Sequence, residues 1–80
     1  MIEMKPSNCD RSLDVRGLRP PEPMEQILNA LAGLPDRRYL LVMMDREPFP
    51  LYGVLDQRGF RHSIERLNGA GYELSIWQDD

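Results

Sequence analysis

The chain has 80 residues, a formal net charge of −3, one cysteine and one histidine. A chain of that length makes one small domain that buries about 60% of its unfolded surface. Cys9 and His62 stand alone in their types, which excludes an internal disulfide and a Cys/His zinc site built within one chain. The acidic balance disfavours non-specific nucleic-acid binding, and no apolar run reaches the roughly 20 residues that span a bilayer.

Residues 1–11 are polar and without period, and they read as a flexible N-terminal arm. The stretch Met1 to Pro6 lacks the basic and apolar regions of a signal peptide, and a lone thiol fits a reducing compartment, so a cytoplasmic location is expected. Residues 12–80 read as a single domain without an internal repeat. Leu13 and Val15 alternate with polar neighbours, which predicts a first strand stopped by Gly17. After Arg19-Pro20-Pro21-Glu22-Pro23, the residues Met24, Ile27, Leu28 and Leu31 follow helical spacing. Proline suits a first helical turn, and Gly33 and Pro35 end the helix.

Tyr39 to Met44 is a nearly continuous apolar run, as in a central strand covered on both faces. Asp45 to Pro50 breaks it, and Leu51, Val54 and Leu55 predict a shorter second helix closed by Gly59. Phe60, His62 and Ile64 give a third strand, and Tyr72, Leu74 and Ile76 a fourth. Between them Asn68-Gly69-Ala70-Gly71 supplies a hairpin turn rich in residues that tolerate positive φ. The expected architecture is a two-layer α/β sandwich in the order β-α-β-α-β-β. Its four-stranded mixed sheet carries both helices on one face. Parallel first and second strands would bring both helix starts to one edge of that sheet.

Leu13-Asp14-Val15-Arg16-Gly17-Leu18 followed by Pro21-Glu22-Pro23 resembles the signature of the TusA/SirA sulfur carriers. In that family a strand ending in an L-D-x-R/x-G-L sequence leads into C-P-x-P at the start of the first helix. The resemblance covers about residues 12–78 and implies the same fold. It also implies that Pro20 stands where the family keeps the cysteine that carries a persulfide. That chemistry uses a thiolate stabilised at a helix N-terminus, which a proline cannot supply. Asp45 to Tyr52 reads D-x-x-P-x-P-L-Y, as in an uncharacterised, cysteine-less branch of TusA-like domains.

The first candidate site is the shared edge of the helix starts. Arg16, Arg19, Pro20, Glu22, Arg46, Glu47 and Tyr52 are its candidate ligand or partner residues. A small anion or an acidic partner tail fits two positive helix ends. The structural alternative is that Asp14, Glu22, Asp45 and Glu47 complement the dipoles and pair with the arginines. The second candidate is the sheet face away from the helices, where Leu41, Met43 and Trp77 would form a protein contact or a homodimer interface. His62, on the apolar phase of its strand, reads as a partly buried, hydrogen-bonded side chain. Cys9 on the arm reads as an incidental thiol, or else as a relocated sulfur acceptor.

These readings lead to a non-catalytic binding or adaptor domain with a protein partner or homodimer, or a small anionic ligand. No nucleic acid, membrane, metal or cofactor is expected. The alternative is a sulfur-relay or redox-associated protein acting through Cys9 or a partner. A carboxylate enzyme using Glu22 or Glu47 would need a water-poor pocket to shift a pKa.

Overall fold

The structure is a computed structural model and describes residues 5–78. Its elements are β1 (Asn8–Asp14), α1 (Glu22–Ala32), β2 (Arg38–Met44), α2 (Phe49–Gln57), β3 (Phe60–Arg66) and β4 (Tyr72–Gln78). The sheet order is β1-β2-β4-β3, with β1 parallel to β2 and β4 antiparallel to both β2 and β3. The mixed four-stranded sheet therefore places the last strand between the second and third.

Leu40, Val42 and Met44 occupy one phase of β2 and join Leu74 and Ile76 of β4 in the core. Ile27, Ala30 and Leu31 of α1 and Leu51 and Leu55 of α2 belong to the same cluster. One core shared by both helices and one sheet phase means that both helices cover the same face. The i, i+3, i+4 spacing in α1 and i, i+4 in α2 direct these side chains inward. Each fully buried aliphatic side chain contributes roughly 1.5–3 kcal/mol, so these few residues dominate the stability of so small a domain.

The structure changes three expectations. β1 begins at Asn8, so residues 8–11, assigned to the arm, are paired with β2 through Asn8↔Arg38, Cys9↔Tyr39 and Arg11↔Leu40. The strand ends at Asp14, although Val15 N–H still donates to the Met43 carbonyl at 3.0 Å. Arm residues 1–4 lie outside the described residues. Second, β2 is central but not covered on both faces, since Tyr39, Leu41 and Met43 are only half-buried. Third, Trp77 shares that open face, opposite Tyr39, yet is only 6% exposed. Lys5 reaches across the same face, where its Nζ donates to Ser75 Oγ at 3.4 Å and lies 4.4 Å from the Tyr39 ring centroid. Trp77 is thus covered within the chain and offers little surface to a partner, while Tyr39, Leu41 and Met43 remain partly accessible on this face.

Candidate functional site

Because β1 and β2 are parallel, the β1–α1 and β2–α2 connections leave the sheet at the same edge. A cleft of about 520 Å³ opens between them. Pro20 and Pro21 from the first connection and Pro23 from the first turn of α1 line it, as do Pro48 from the second connection and Pro50 from the first turn of α2. Leu18, Met24, Ile27 and Leu51 add to an apolar lining whose charged members are Arg19, Asp45 and Arg46.

The two helix starts repeat one pattern of four residues, too short to stand out as an internal repeat of the sequence. Pro21-Glu22-Pro23-Met24 and Pro48-Phe49-Pro50-Leu51 align, with Pro21 and Pro48 as N-caps and Pro23 and Pro50 as the second helical residues. Pro20 therefore precedes the N-cap of α1 and does not lie in its first turn. The Pro20–Pro21 peptide is cis.

This construction removes most of the donors that a helix start would offer to an anion. Proline has no N–H. Glu22 N–H donates to the Arg19 carbonyl at 2.9 Å, Phe49 N–H to Glu47 at 3.0 Å and Leu51 N–H to Pro48 at 2.9 Å. Gly17 N–H donates to Asp45 Oδ2 at 2.6 Å, a bond that ties the two connections together. Gly17 has φ 81°, a backbone conformation that glycine adopts without steric cost. The backbone amides expected from the sequence to meet an anion are thus largely absent or already bonded, and the cationic groups lining the cleft are the side chains of Arg19 and Arg46.

The seven edge candidates separate into distinct groups. Arg19, Pro20 and Arg46 line the cleft. Arg16 does not: its Nε and Nη2 donate to the two carboxylate oxygens of Asp14 at 2.9 and 2.8 Å. These side-chain hydrogen bonds, with a further one from the Arg16 backbone N–H, hold the Asp14 carboxyl at about 2. Glu22 is exposed at the first position of α1. Glu47 and Tyr52 face each other, with the Tyr52 hydroxyl donating to Glu47 Oε2 at 3.1 Å. Burial, reinforced by this hydrogen bond to the carboxylate, pushes Tyr52 up to about 12.

Tyr52 also stacks on His62, with ring centroids 4.4 Å apart and planes 5° from parallel. His62 lies on the helix-facing phase of β3, opposite Ile76. Tyr52 thus fastens α2 to β3, a role that sequence reading did not assign to it. Phe49 was overlooked as well. It packs edge-on to Tyr52 at 6.1 Å and is 67% exposed between two cleft prolines. Its place in the P-x-P spacer was the available signal.

Cys9 is exposed near the start of β1, and its thiol donates to the Arg11 carbonyl at 3.3 Å. The strand carries it away from the cleft, roughly 20 Å from Val15 at about 3.3 Å per residue. Among the described residues, no group of three His, Cys, Asp or Glu side chains is placed to hold a metal ion. No described helix is long and apolar enough to cross a membrane.

The fold is that of a SirA-like protein from Desulfitobacterium hafniense. Its crystal structure superimposes with a TM-score of 0.75 at 19% identity, over 88% of this chain and 99% of that one. No curated protein matches the sequence. Residues 12–78, which run from the middle of β1 to the end of β4, match the family described as "Uncharacterized conserved protein (DUF2249)", and the chain belongs to that family.

Proposed function

We propose that this domain acts by binding, as a non-catalytic adaptor with a SirA-like fold, and that the cleft between the two helix starts is where it binds. The observation that carries this reading is the cleft's chemistry. At about 520 Å³ it has the size of a ligand pocket, within the ~300–1,000 Å³ such sites occupy. Its lining offers apolar surface and two guanidiniums. Among the described residues it presents no cysteine, serine, threonine, histidine or lysine to act as nucleophile or base. Asp45, the one lining carboxylate among the described residues, accepts a hydrogen bond from Gly17 N–H. Pro20, in the position the family resemblance gives to the sulfur-carrying cysteine, fits a surface from which covalent chemistry has been lost.

Amide NMR of the whole chain tests this with two simple probes, 4-phenylbutyrate and 4-phenylbutanol. The expected result is that both perturb residues 18–27 and 44–51 and leave β3 unmoved. Shifts scattered over the surface, or centred on Cys9, would remove the reading.

A further inference from the structure

The cleft adjoins a feature that its own filling leaves unexplained. Phe49 is the one large hydrophobic side chain exposed among the described residues; it lies in sequence between Pro48 and Pro50, which both line the cleft, and packs edge-on to Tyr52 beside it. A small ligand held by the lining would leave that ring in water. A polypeptide running through the cleft and past the start of α2 would cover both. Exposed aromatic and arginine side chains beside a well-formed apolar pocket are the groups that carry most of the energy in protein contacts.

The charges decide what kind of polypeptide fits. Arg16 is paired with Asp14, whereas Asp45 and Glu47 accept hydrogen bonds from the neutral Gly17 N–H and Tyr52 hydroxyl and keep their charge. The side chains of Arg19 and Arg46 make no ion pair or hydrogen bond among the described residues, although both line the cleft. Among the described residues the lining carries two guanidiniums against the single carboxylate of Asp45, so the cleft keeps a net positive charge on a chain whose total is −3. Glu22 and Glu25, both exposed in the first turn of α1, make no ion pair or side-chain hydrogen bond among the described residues, and Glu22 is next to the cleft prolines Pro21 and Pro23. Arginine recognises a carboxylate through paired donors, and more strongly once apolar contacts exclude water.

We propose that the cleft and Phe49 form one docking surface for an acidic, apolar-anchored segment of a partner protein. Such a segment places an aliphatic side chain in the cleft, sets a carboxylate against Arg19 and Arg46, and covers Phe49 with a second apolar residue. The proposal rests on the binding reading above and specifies its partner.

Three acetylated, amidated hexapeptides test it against the whole chain by amide NMR: Asp-Glu-Leu-Leu-Asp-Phe, its counterpart with lysine at each acidic position, and its counterpart with serine at each apolar position. The acidic peptide is expected to shift residues 18–27 and 44–51 and the Phe49 ring, and to bind about tenfold more tightly than the lysine peptide. Its affinity falls as salt rises. The double change Arg19→Ala and Arg46→Ala removes that preference, Phe49→Ala weakens the acidic peptide about threefold or more, and Glu22→Gln strengthens it. All four altered side chains are exposed, and an unchanged amide fingerprint elsewhere confirms the fold of each variant. Equal binding of the acidic and lysine peptides in the cleft overturns the acidic partner while the binding reading stands. Unchanged affinity in Phe49→Ala, or retention by the serine peptide, overturns the apolar anchoring. If no peptide and neither phenylbutyl probe moves the cleft, the binding reading fails with it.

Discussion

Replacing Gly71 by alanine should damage this domain far more than the same change two residues earlier. Gly71 has φ 80°, and a β-carbon there would sit 2.5 Å from the Met44 carbonyl oxygen. Gly69 has φ 87° and nothing within 4 Å of the same position. Both substitutions force an L-residue into the left-handed region, which costs roughly 1–2 kcal/mol. Only Gly71→Ala also drives a methyl into backbone, and the shift needed to relieve it adds about 1–3 kcal/mol. A chain of this size has about 4–12 kcal/mol of stability in all, so Gly71→Ala removes a large share of it. Urea unfolding read by the fluorescence of buried Trp77 measures both variants. With a slope of about 1 kcal/mol per molar urea, Gly69→Ala lowers the midpoint by about 1–2 M and Gly71→Ala by at least a further 1 M. Equal midpoints would refute the contact with Met44 as the source of the cost. The functional consequence follows from position: Met44 and Asp45 line the cleft, so the Asp45-bonded amide of Gly17 should shift in Gly71→Ala and stay in place in Gly69→Ala.

Three further outcomes can be checked. Tyr52 ionises near 12 in the fold against 10.0 for an unperturbed phenol, so its contribution to stability is complete below pH 10 and is lost as pH rises toward 12. Tyr52→Phe abolishes this alkaline loss and costs about 0.5–1.5 kcal/mol at neutral pH through the lost bond to Glu47, readable by thermal unfolding. Asp14 titrates at about 2 by carboxyl NMR, and Arg16→Gln returns it toward 3.8; its stabilising effect is present above 3.8 and is lost as pH falls through 2. Intact mass of the chain after incubation with a cysteine desulfurase and free cysteine should show no added sulfur, and Cys9→Ser should leave peptide binding unchanged; sulfur carried on Cys9 would favour the relay alternative.

The parts of the fold legible in the sequence are those whose period is set by burial. The spacing of Met24, Ile27, Leu28 and Leu31 marked α1, and the run from Tyr39 to Met44 marked the central strand. The first half of β1 was illegible because Asn8 to Ser12 carries no apolar alternation. An edge strand of that kind is held by backbone pairing with β2, which leaves no mark on side-chain pattern. Trp77 was placed on the correct face, but its cover by other parts of the chain depends on tertiary contacts that no local pattern encodes. The edge of the sheet was identified, and Arg19, Pro20 and Arg46 were found there. Which arginine is free was not legible, because it depends on the bidentate closure of Arg16 on Asp14. Proline spacing foretold the helix starts, while the loss of free amide donors there emerged only from the turn geometry.

The position of β4 bears on how this domain must be made. During synthesis β4, which lies between β2 and β3 in the sheet, leaves the ribosome after both of the strands it has to join. Until residues 72–78 arrive, β2 offers its Tyr39–Met44 segment as an unpaired, strongly apolar edge, and β3 has no neighbour. A short run of that composition is the kind that recruits other chains through strand pairing. Shortened chains that stop before Tyr72 should therefore aggregate rather than form a smaller version of the domain.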